Sequence, residues 1–391
     1  MIGYDEAQAI VAGAARPLAS EMVPLAAASG RFLAAAVVAN VASPPADVSA
    51  MDGYATSGDD LPSFTLVGIS YPGNGFAGRI GAGECVRIFT GAPVPEGAKR
   101  VIVQEIVRTD GSQIVLVSPP GSATHIRPRG SDFMAGEQLL PAGRQLDPRA
   151  LVAAAGADLA TAEIWSRPRI VILTTGDELV EAGTARATPG AIPESVSLGV
   201  SALAEQYGGH CVSRRRLRDE PQEIKEASER ALAEADLVVM TGGASVGEKD
   251  YAKPVFQELG LELEFSKVAI KPGKPIWFGR ARGKLVMGLP GNPTSAMITG
   301  RLFLAPLVRG LAGGDPAHAS RWRHAPLVQD MPPCGDRETF VRGRWRGDGV
   351  EAVPNQDSSA QRALAEAEIL IRRRPGAPAV AAGQLVEIID L

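Results

Sequence analysis

VVMTGGASVGEKDY, residues 238–251, reads as an apolar strand running into a glycine-rich loop with carboxylates just beyond it. The strand has no polar alternation, which marks a strand covered on both faces. The same pattern recurs on either side. RIVILTT (169–175) is an apolar run, and SLGVSALAEQYGG (197–209) is helical. HCVSRRRLRD (210–219) contains a strand, and PQEIKEASERALAEA (221–235) is an amphipathic helix opened by Pro. KLVMGLPG (284–291) and SAMITGRLFLAPLVRGL (295–311) form another strand–helix unit. Apolar strands alternating with helices imply a parallel sheet with helices on both faces.

Outside this segment the texture changes. Residues 4–16 predict an amphipathic helix ended by Pro17, and PLAAASGRFLAAAVVANVASPP (24–45) predicts a helix followed by an extended segment. From about 52 to 130 come short β-type runs between Gly/Pro turns: FTLVGI, ECVRIFT, RVIVQEIV and QIVLVS. AGEQLLPAGRQLDPRALVAAAGA (135–157) predicts a return to helix ending near Gly156. Beyond about 320, TFVRGRWR and LVEIID predict a small β barrel or sandwich.

The chain of 391 residues is too long for one ordinary core. It is 45% hydrophobic and 21% charged, a globular profile, and its net charge of -4 gives no reason to expect nucleic acid. The N-terminus has no basic stretch before an apolar core, and no run reaches the roughly 18 apolar residues of a membrane span. Cys85, Cys211 and Cys334 are isolated, which suits a reducing compartment, so a cytoplasmic protein with no membrane partner is expected.

Ligands in open α/β sheets bind beyond the C-terminal strand ends, at a switch in strand order. If three such loops adjoin here, one crevice receives Asp177, Glu178, Ser245, Glu248, Asp250, Asn292 and Ser295. Gly242 and Gly247 have P-loop spacing, but Glu248 replaces the signature lysine. Glycine-rich backbone and the helix start at Pro293-Thr294-Ser295 can still cradle an anion. The alternative is that these glycines only make tight turns. Carboxylates beside a phosphate repel it unless a cation intervenes, so Asp177, Glu178 and Asp250 are metal or acid–base candidates, favouring Mg²⁺. Helix capping is the other role open to Asp177 and Asp250. In EFSKVAIKPGKPIWF (264–278), strand alternation places Lys267 and Lys271 on one face, with Lys274 after the Pro-Gly bend. Three cations suit an oxyanion, although a solvated edge strand carries lysines too.

Taken together, SAMDGYA (49–55), FTGAPVPEGA (89–98), HIRPRGSDFMAGEQLLPAG (125–143), TTGDEL (174–179), TGGASVGEKDY (241–251), KVAIKPGKP (267–275) and GLPGNPTSA (288–296) resemble the molybdopterin molybdenumtransferase family. That family includes MoeA and the E domain of gephyrin. The likeness covers nearly the whole chain. It implies a multidomain α/β subunit: a split linker and dimerisation domain at 1–44 and 131–167, a β-rich domain at 45–130, a central MogA-like three-layer α/β domain with a parallel sheet at 168–318, and a β-barrel-like domain at 319–391.

The resemblance also implies a reaction: adenylylated molybdopterin loses AMP, molybdate is inserted into the dithiolene, and Mg²⁺ assists. Thr175, Gly176, Asp177, Gly242, Gly243, Ser245, Gly247, Pro290, Asn292, Pro293 and Ser295 would hold the pterin and phosphate end. Glu178, Asp219 and Asp250 would supply the acids, with Glu178 and Asp250 on the metal, and Lys267, Lys271 and Lys274 the cations. Asp52, Thr90 and Asp132 would come from the partner subunit of a homodimer with a composite active site. Arg342 and Ser358 match the C-terminal contribution. Contacts with molybdopterin adenylyltransferase and with molybdoenzymes are implied as well.

The sequence also departs from the family pattern. Ala46-Asp47-Val48 precedes SAMDGYA where Phe-Asp-Asn is usual. Glu194 and Val196 follow TGDEL where Asp and Asn are usual, Lys99 replaces a common acid, and Glu368 stands near a usual Asn. Loss of the Asn at 196 is expected to weaken ligand contact. The departures keep a non-catalytic molybdopterin carrier as one alternative, and the shared central domain keeps a molybdopterin adenylyltransferase as another.

Overall fold

The structure, a computed structural model, describes residues 1–58, 61–242 and 251–391. The chain forms two compact units, one built from 1–21, 30–34 and 163–391, the other from 22–29 and 35–162.

The first unit is organised by a six-stranded sheet in the order His210–Leu217, Arg169–Thr175, Leu237–Thr241, Lys284–Leu289, Trp277–Ala281, Glu262–Ser266. The first four strands are mutually parallel. The last two are joined on by antiparallel pairings, Trp277–Ala281 running against the rest, which the sequence reading did not anticipate. The cause is local: Arg282 and Gly283 both take positive φ, 49° and 77°, the two-residue turn that closes a hairpin on its own neighbour. Successive strand residues serve opposite faces. Ile170, Ile172, Leu237 and Val239 pack with Val200 and Ala204 of the Val196–Gln206 helix. Val171, Leu173, Val238 and Met240 pack with Ile224, Ala227 and Phe256 of the Pro221–Glu234 and Ala252–Glu258 helices. The three-layer arrangement follows from that alternation.

The N-terminal helix, Tyr4–Ala14, joins the first of these clusters through Tyr4, Ala7 and Val11. The C-terminal sheet is ordered Ile270–Lys271, Glu338–Arg346, Ile369–Arg373, Leu385–Asp390, Arg323–Pro326, with Gly349–Ala352 paired to the Glu338–Arg346 strand. Ile270–Lys271 belongs to this sheet, pairing in parallel with Glu338 and Thr339.

The second unit is built on a six-stranded sheet ordered Arg100–Val103, Gly53–Thr56, Glu84–Ile88, Ser63–Ser70, Gln113–Leu116, Val107–Asp110. Phe64, Cys85, Ile102 and Ile114 fill one side of it, and Ala55, Ile88 and Val101 the other. Of two expected helices, the first fails and the second is shortened to Pro148–Gly156, ending where expected. Residues 24–45 hold only a 3-10 turn, Leu25–Ala27, because Gly30 turns left-handed (φ 75°) and the Val37–Val38 pair enters a short strand. Gln138–Leu140 is likewise a strand, and helix begins only at Pro148, where the Asp147 side chain accepts from the Ala150 N–H.

Candidate functional site

In the α/β sheet the chain steps outward from Arg169–Thr175 to His210–Leu217, then returns to the opposite side at Leu237–Thr241. That reversal is the switch point where a crevice opens. A cavity of about 660 Å³ lies there, reached by Thr175, Gly176 and Glu178 from the first loop, Gly242 from the third, and Pro290, Asn292, Pro293 and Ser295 from the fourth. Of the described residues expected in one crevice, Glu178, Asn292 and Ser295 line this cavity and Asp177 does not.

Glycine is required where these loops touch. A Cβ on Gly242 (φ 84°) would stand 2.6 Å from the Thr175 carbonyl oxygen, and one on Gly291 would stand 3.2 Å from the Gly242 Cα. Below them the Thr174 and Thr241 hydroxyls share a buried 2.8 Å hydrogen bond. Asn292 precedes the Pro293–Thr299 helix without capping it. Its Nδ2 instead donates to Ser358 Oγ at 3.1 Å, leaving that helix start without a side-chain cap.

Carboxylates dominate this cavity. Glu178, Glu194 and Asp219 line it, and no Lys or Arg is among its described lining residues. Asp177 and Asp219 bridge two strand ends through each other's backbone N–H. Glu194 accepts from the Ser197 N–H at 2.8 Å and from its hydroxyl at 2.6 Å. It thus supplies the cap that the Val196–Gln206 helix lacks at Ser195. Val196 lies in the apolar core and also forms part of the cavity wall. The two departures have structural roles here: Glu194 caps a helix and Val196 packs under it.

A second cavity, of about 960 Å³, shares Pro275 and Ser295 with the first. Its cationic lining residues are Lys271, Lys274, Arg337 and Arg373, with Ser358 and Asp357 nearby on its wall. Lys267 lines neither cavity. It also does not share a strand face with Lys271. The α/β strand ends at Ser266, Lys267 takes φ 84°, and Lys271 has crossed into the C-terminal sheet.

Arg342, expected to meet ligand, is 1% exposed and lines neither cavity. Its Nη1 donates to Thr294 Oγ1 at 3.1 Å and the Ala360 carbonyl at 3.4 Å, and its Nη2 to the Asn355 and Asp357 carbonyls at 3.0 and 2.9 Å. It ties the 355–360 loop to the helix start at 293–295. That loop presents Ser358 to the basic cavity and Ser359 to the acidic one. Sequence reasoning missed Arg337, Arg373, Ser359 and Gln361 as lining residues; for Arg373 the available signal was the run of three arginines.

In the second unit, Asp52 Oδ1 accepts from the Thr90 N–H at 2.8 Å and the Thr90 hydroxyl at 2.9 Å. Those two bonds hold the Asp52 carboxyl below the ordinary carboxylate range. Asp132 is exposed, and its N–H donates to the Ser43 carbonyl. Asp47, the retained acid of the altered motif, accepts from the Arg129 N–H at 2.8 Å. Glu368 accepts from the Trp345 N–H at 2.7 Å, within the C-terminal sheet and outside both cavities.

Gly243, Ser245, Gly247, Glu248 and Asp250 lie outside the described residues. Among the described residues, no group of three His, Cys, Asp or Glu is arranged to hold a metal, and no helix is long and apolar enough to cross a membrane.

Three family models match the chain in order. Residues 2–157 match the MoeA N-terminal region (domain I and II), 171–310 a probable molybdopterin binding domain, and 324–391 the MoeA C-terminal region (domain IV). The molybdopterin molybdenumtransferase of Haemophilus influenzae is 35% identical over 336 residues, covering 84% of this chain and 81% of the relative. Molybdopterin molybdenumtransferase 2 of Mycobacterium tuberculosis is 31% identical with both chains fully covered. The crystal structure of the molybdopterin biosynthesis moeA protein from Pyrococcus horikoshii superposes with a TM-score of 0.86 at 25% identity, over 100% of each chain. With its crevice at the sheet's switch point and full-length relatives of this kind, the chain belongs to the molybdopterin molybdenumtransferase (MoeA) family.

Proposed function

We propose that this protein inserts molybdate into adenylylated molybdopterin with release of AMP. One observation carries the reading beyond family membership: an acidic cavity and a basic cavity share the wall formed by Pro275 and Ser295. A reaction that joins a phosphorylated pterin to an oxyanion needs two adjacent places of opposite character. The pterin and phosphate end lies in the crevice of Thr175, Gly242 and Ser295. Molybdate, a substrate, is drawn to Lys271 and Lys274.

Phosphate beside Glu178 and Asp219 would be repelled by their charge. The donor set on the described side is all oxygen, which fits Mg²⁺, and Glu178 with Asp250 would hold it. Held there, Mg²⁺ would supply neutralising charge for the phosphate. The residues' own work is positioning: the glycine contacts let the crevice loops close on one another, and the Arg342-held loop fixes Ser358 and Ser359. Water breaks the phosphoanhydride bond and AMP leaves. The dithiol then replaces one molybdate oxygen, which departs as water.

The test is incubation with adenylylated molybdopterin and molybdate. AMP release with cofactor formation supports the proposal. Binding without AMP release would make the protein a carrier, and formation of adenylylated molybdopterin in a parallel incubation with molybdopterin and ATP would make it an adenylyltransferase.

By family resemblance we also propose a homodimer in which Asp52, Thr90 and Asp132 act on the partner's substrate. Asp52→Ala and Asp250→Ala are each expected to be inactive. Co-expressed and randomly reassorted, about half the dimers are mixed and about one quarter of all sites carry neither defect. A purified mixed dimer as inactive as its parents would overturn the shared site.

A further inference from the structure

Three consecutive arginines end the Ile369–Arg373 strand and the residue after it. Alternation along a strand sends Arg372 and Arg374 to one face and Arg373 to the other. The first face is supplied with acids. Arg372 pairs with Glu338 and with Asp5, and Arg374 with Glu387. Among the described residues, Arg373 has no ion pair. It is 4% exposed, its Nη2 donates to the Pro378 carbonyl, and its Nη1 is buried without a hydrogen-bond partner. The cavity that it lines is the 960 Å³ one, together with Lys271, Lys274 and Arg337. The carboxylate on that wall, Asp357, is turned to the Ser359 N–H and hydroxyl, both at 2.8 Å.

A buried guanidinium without a counter-ion is costly, and a donor left unsatisfied adds to that cost. Four cations around one cavity, one of them buried and incompletely bonded, make a place that an anion stabilises. Arginine's planar fork suits the edge of a tetrahedral oxyanion. We propose that Arg373, with Arg337, forms an oxyanion-binding subsite in the wall of this cavity, adding to the lysine pair, and that molybdate is the anion it takes. The identity of the anion rests on the function proposed above; the subsite itself rests on the cavity and its charges.

The experiment is titration of the full-length protein with molybdate, sulfate and phosphate by calorimetry, for the wild type, Arg373→Met and Arg373→Lys. Arg373→Met is expected to weaken molybdate binding about tenfold or more, the loss of one charge-assisted contact. Arg373→Lys is expected to recover part of it. Molybdate is expected to raise the unfolding temperature of the wild type more than that of Arg373→Met. An unchanged molybdate affinity in Arg373→Met would show an arginine with a structural role only and sink the proposal. Equal affinity for all three anions would overturn the assignment to molybdate and, since the subsite would remain, leave the proposed function to its own assay. Should Arg373→Met fail to fold, a wild-type crystal soaked in molybdate and measured at the molybdenum absorption edge decides. A peak beside the Arg373 guanidinium supports the subsite; a peak only at Lys271 and Lys274, or none, overturns it.

Discussion

Asp177 and Asp219 each hold the other's backbone: the Asp219 N–H donates to Asp177 Oδ1 at 3.0 Å, and the Asp177 N–H to Asp219 Oδ2 at 3.4 Å. Two carboxylates at neighbouring strand ends are thus kept together by amide donors lying between them. Asp219 lines the acidic cavity. Asp177→Ala is expected to speed hydrogen exchange at the Asp219 amide about tenfold, the equivalent of a bond worth about 1.4 kcal/mol. Mass-spectrometric exchange on the 217–220 peptide reads this directly, and an unaltered rate would mean that the bond does not protect the amide in solution.

Arg342→Met should cost stability. Removing the guanidinium leaves the carbonyls of Asn355, Asp357 and Ala360 without that donor. A loss of about 3 kcal/mol or more in urea unfolding is expected, since each abandoned group costs about 1–3 kcal/mol. Arg342→Lys should not restore it, because one ammonium cannot serve partners on two sides of a planar fork. Near-native stability with weakened substrate binding would instead identify Arg342 as a ligand contact.

The Asp52 carboxyl is held below its ordinary value by the Thr90 N–H first and the Thr90 hydroxyl second. Thr90→Val removes the hydroxyl and keeps the backbone donor, so the Asp52 pKa should move up toward the ordinary range. A depressed carboxylate stabilises the fold above its unfolded pKa, near 3.8, and that contribution fades as pH falls through the lower folded value. In Thr90→Val the contribution should be smaller and fade at higher pH. Carbon-detected NMR titration of Asp52 gives the answer, and coincident curves for the two proteins would remove the hydroxyl from the account.

Tyr4 is buried against Phe303, Trp322 and Phe340, and burial pushes its phenol up to about 12. A raised pKa means that the neutral phenol's contribution is intact below the unfolded value of 10.0 and is lost as pH climbs toward 12. Tyr4→Phe should therefore flatten the decline in stability between those limits while changing little at neutral pH. Unfolding followed across that alkaline window tests it; parallel declines in both proteins would place the titrating group elsewhere.

The α/β layer was legible because its strands are apolar without interruption and its helices carry a 3.6-residue stripe, as in Ile224, Ala227 and Ala231. The crevice was legible because strand ends, glycines and polar residues coincide in sequence. Residues 24–45 misled because alanine has high helix propensity, while the Gly30 turn and long-range pairing decide the outcome. Lys267 misled for a related reason: alternation holds only while a strand continues, and this one ends one residue earlier. The partners of Arg342 and the burial of Arg373 lay beyond sequence reasoning. Whether a buried arginine finds partners depends on which carbonyls and acids the distant chain brings up, and spacing along the strand does not reveal that.

Ile270–Lys271 pairs with Glu338–Thr339, so the lysine-bearing loop is sewn to the C-terminal sheet at its root. Mechanically, Lys271 is cargo of that sheet, even though its sequence neighbours up to Ser266 belong to the α/β layer. A force that pulled the C-terminal sheet away would carry Lys271 with it until the pairing tore, and it would load the backbone hydrogen bonds that tie Lys267 to Ile2 and Ile276.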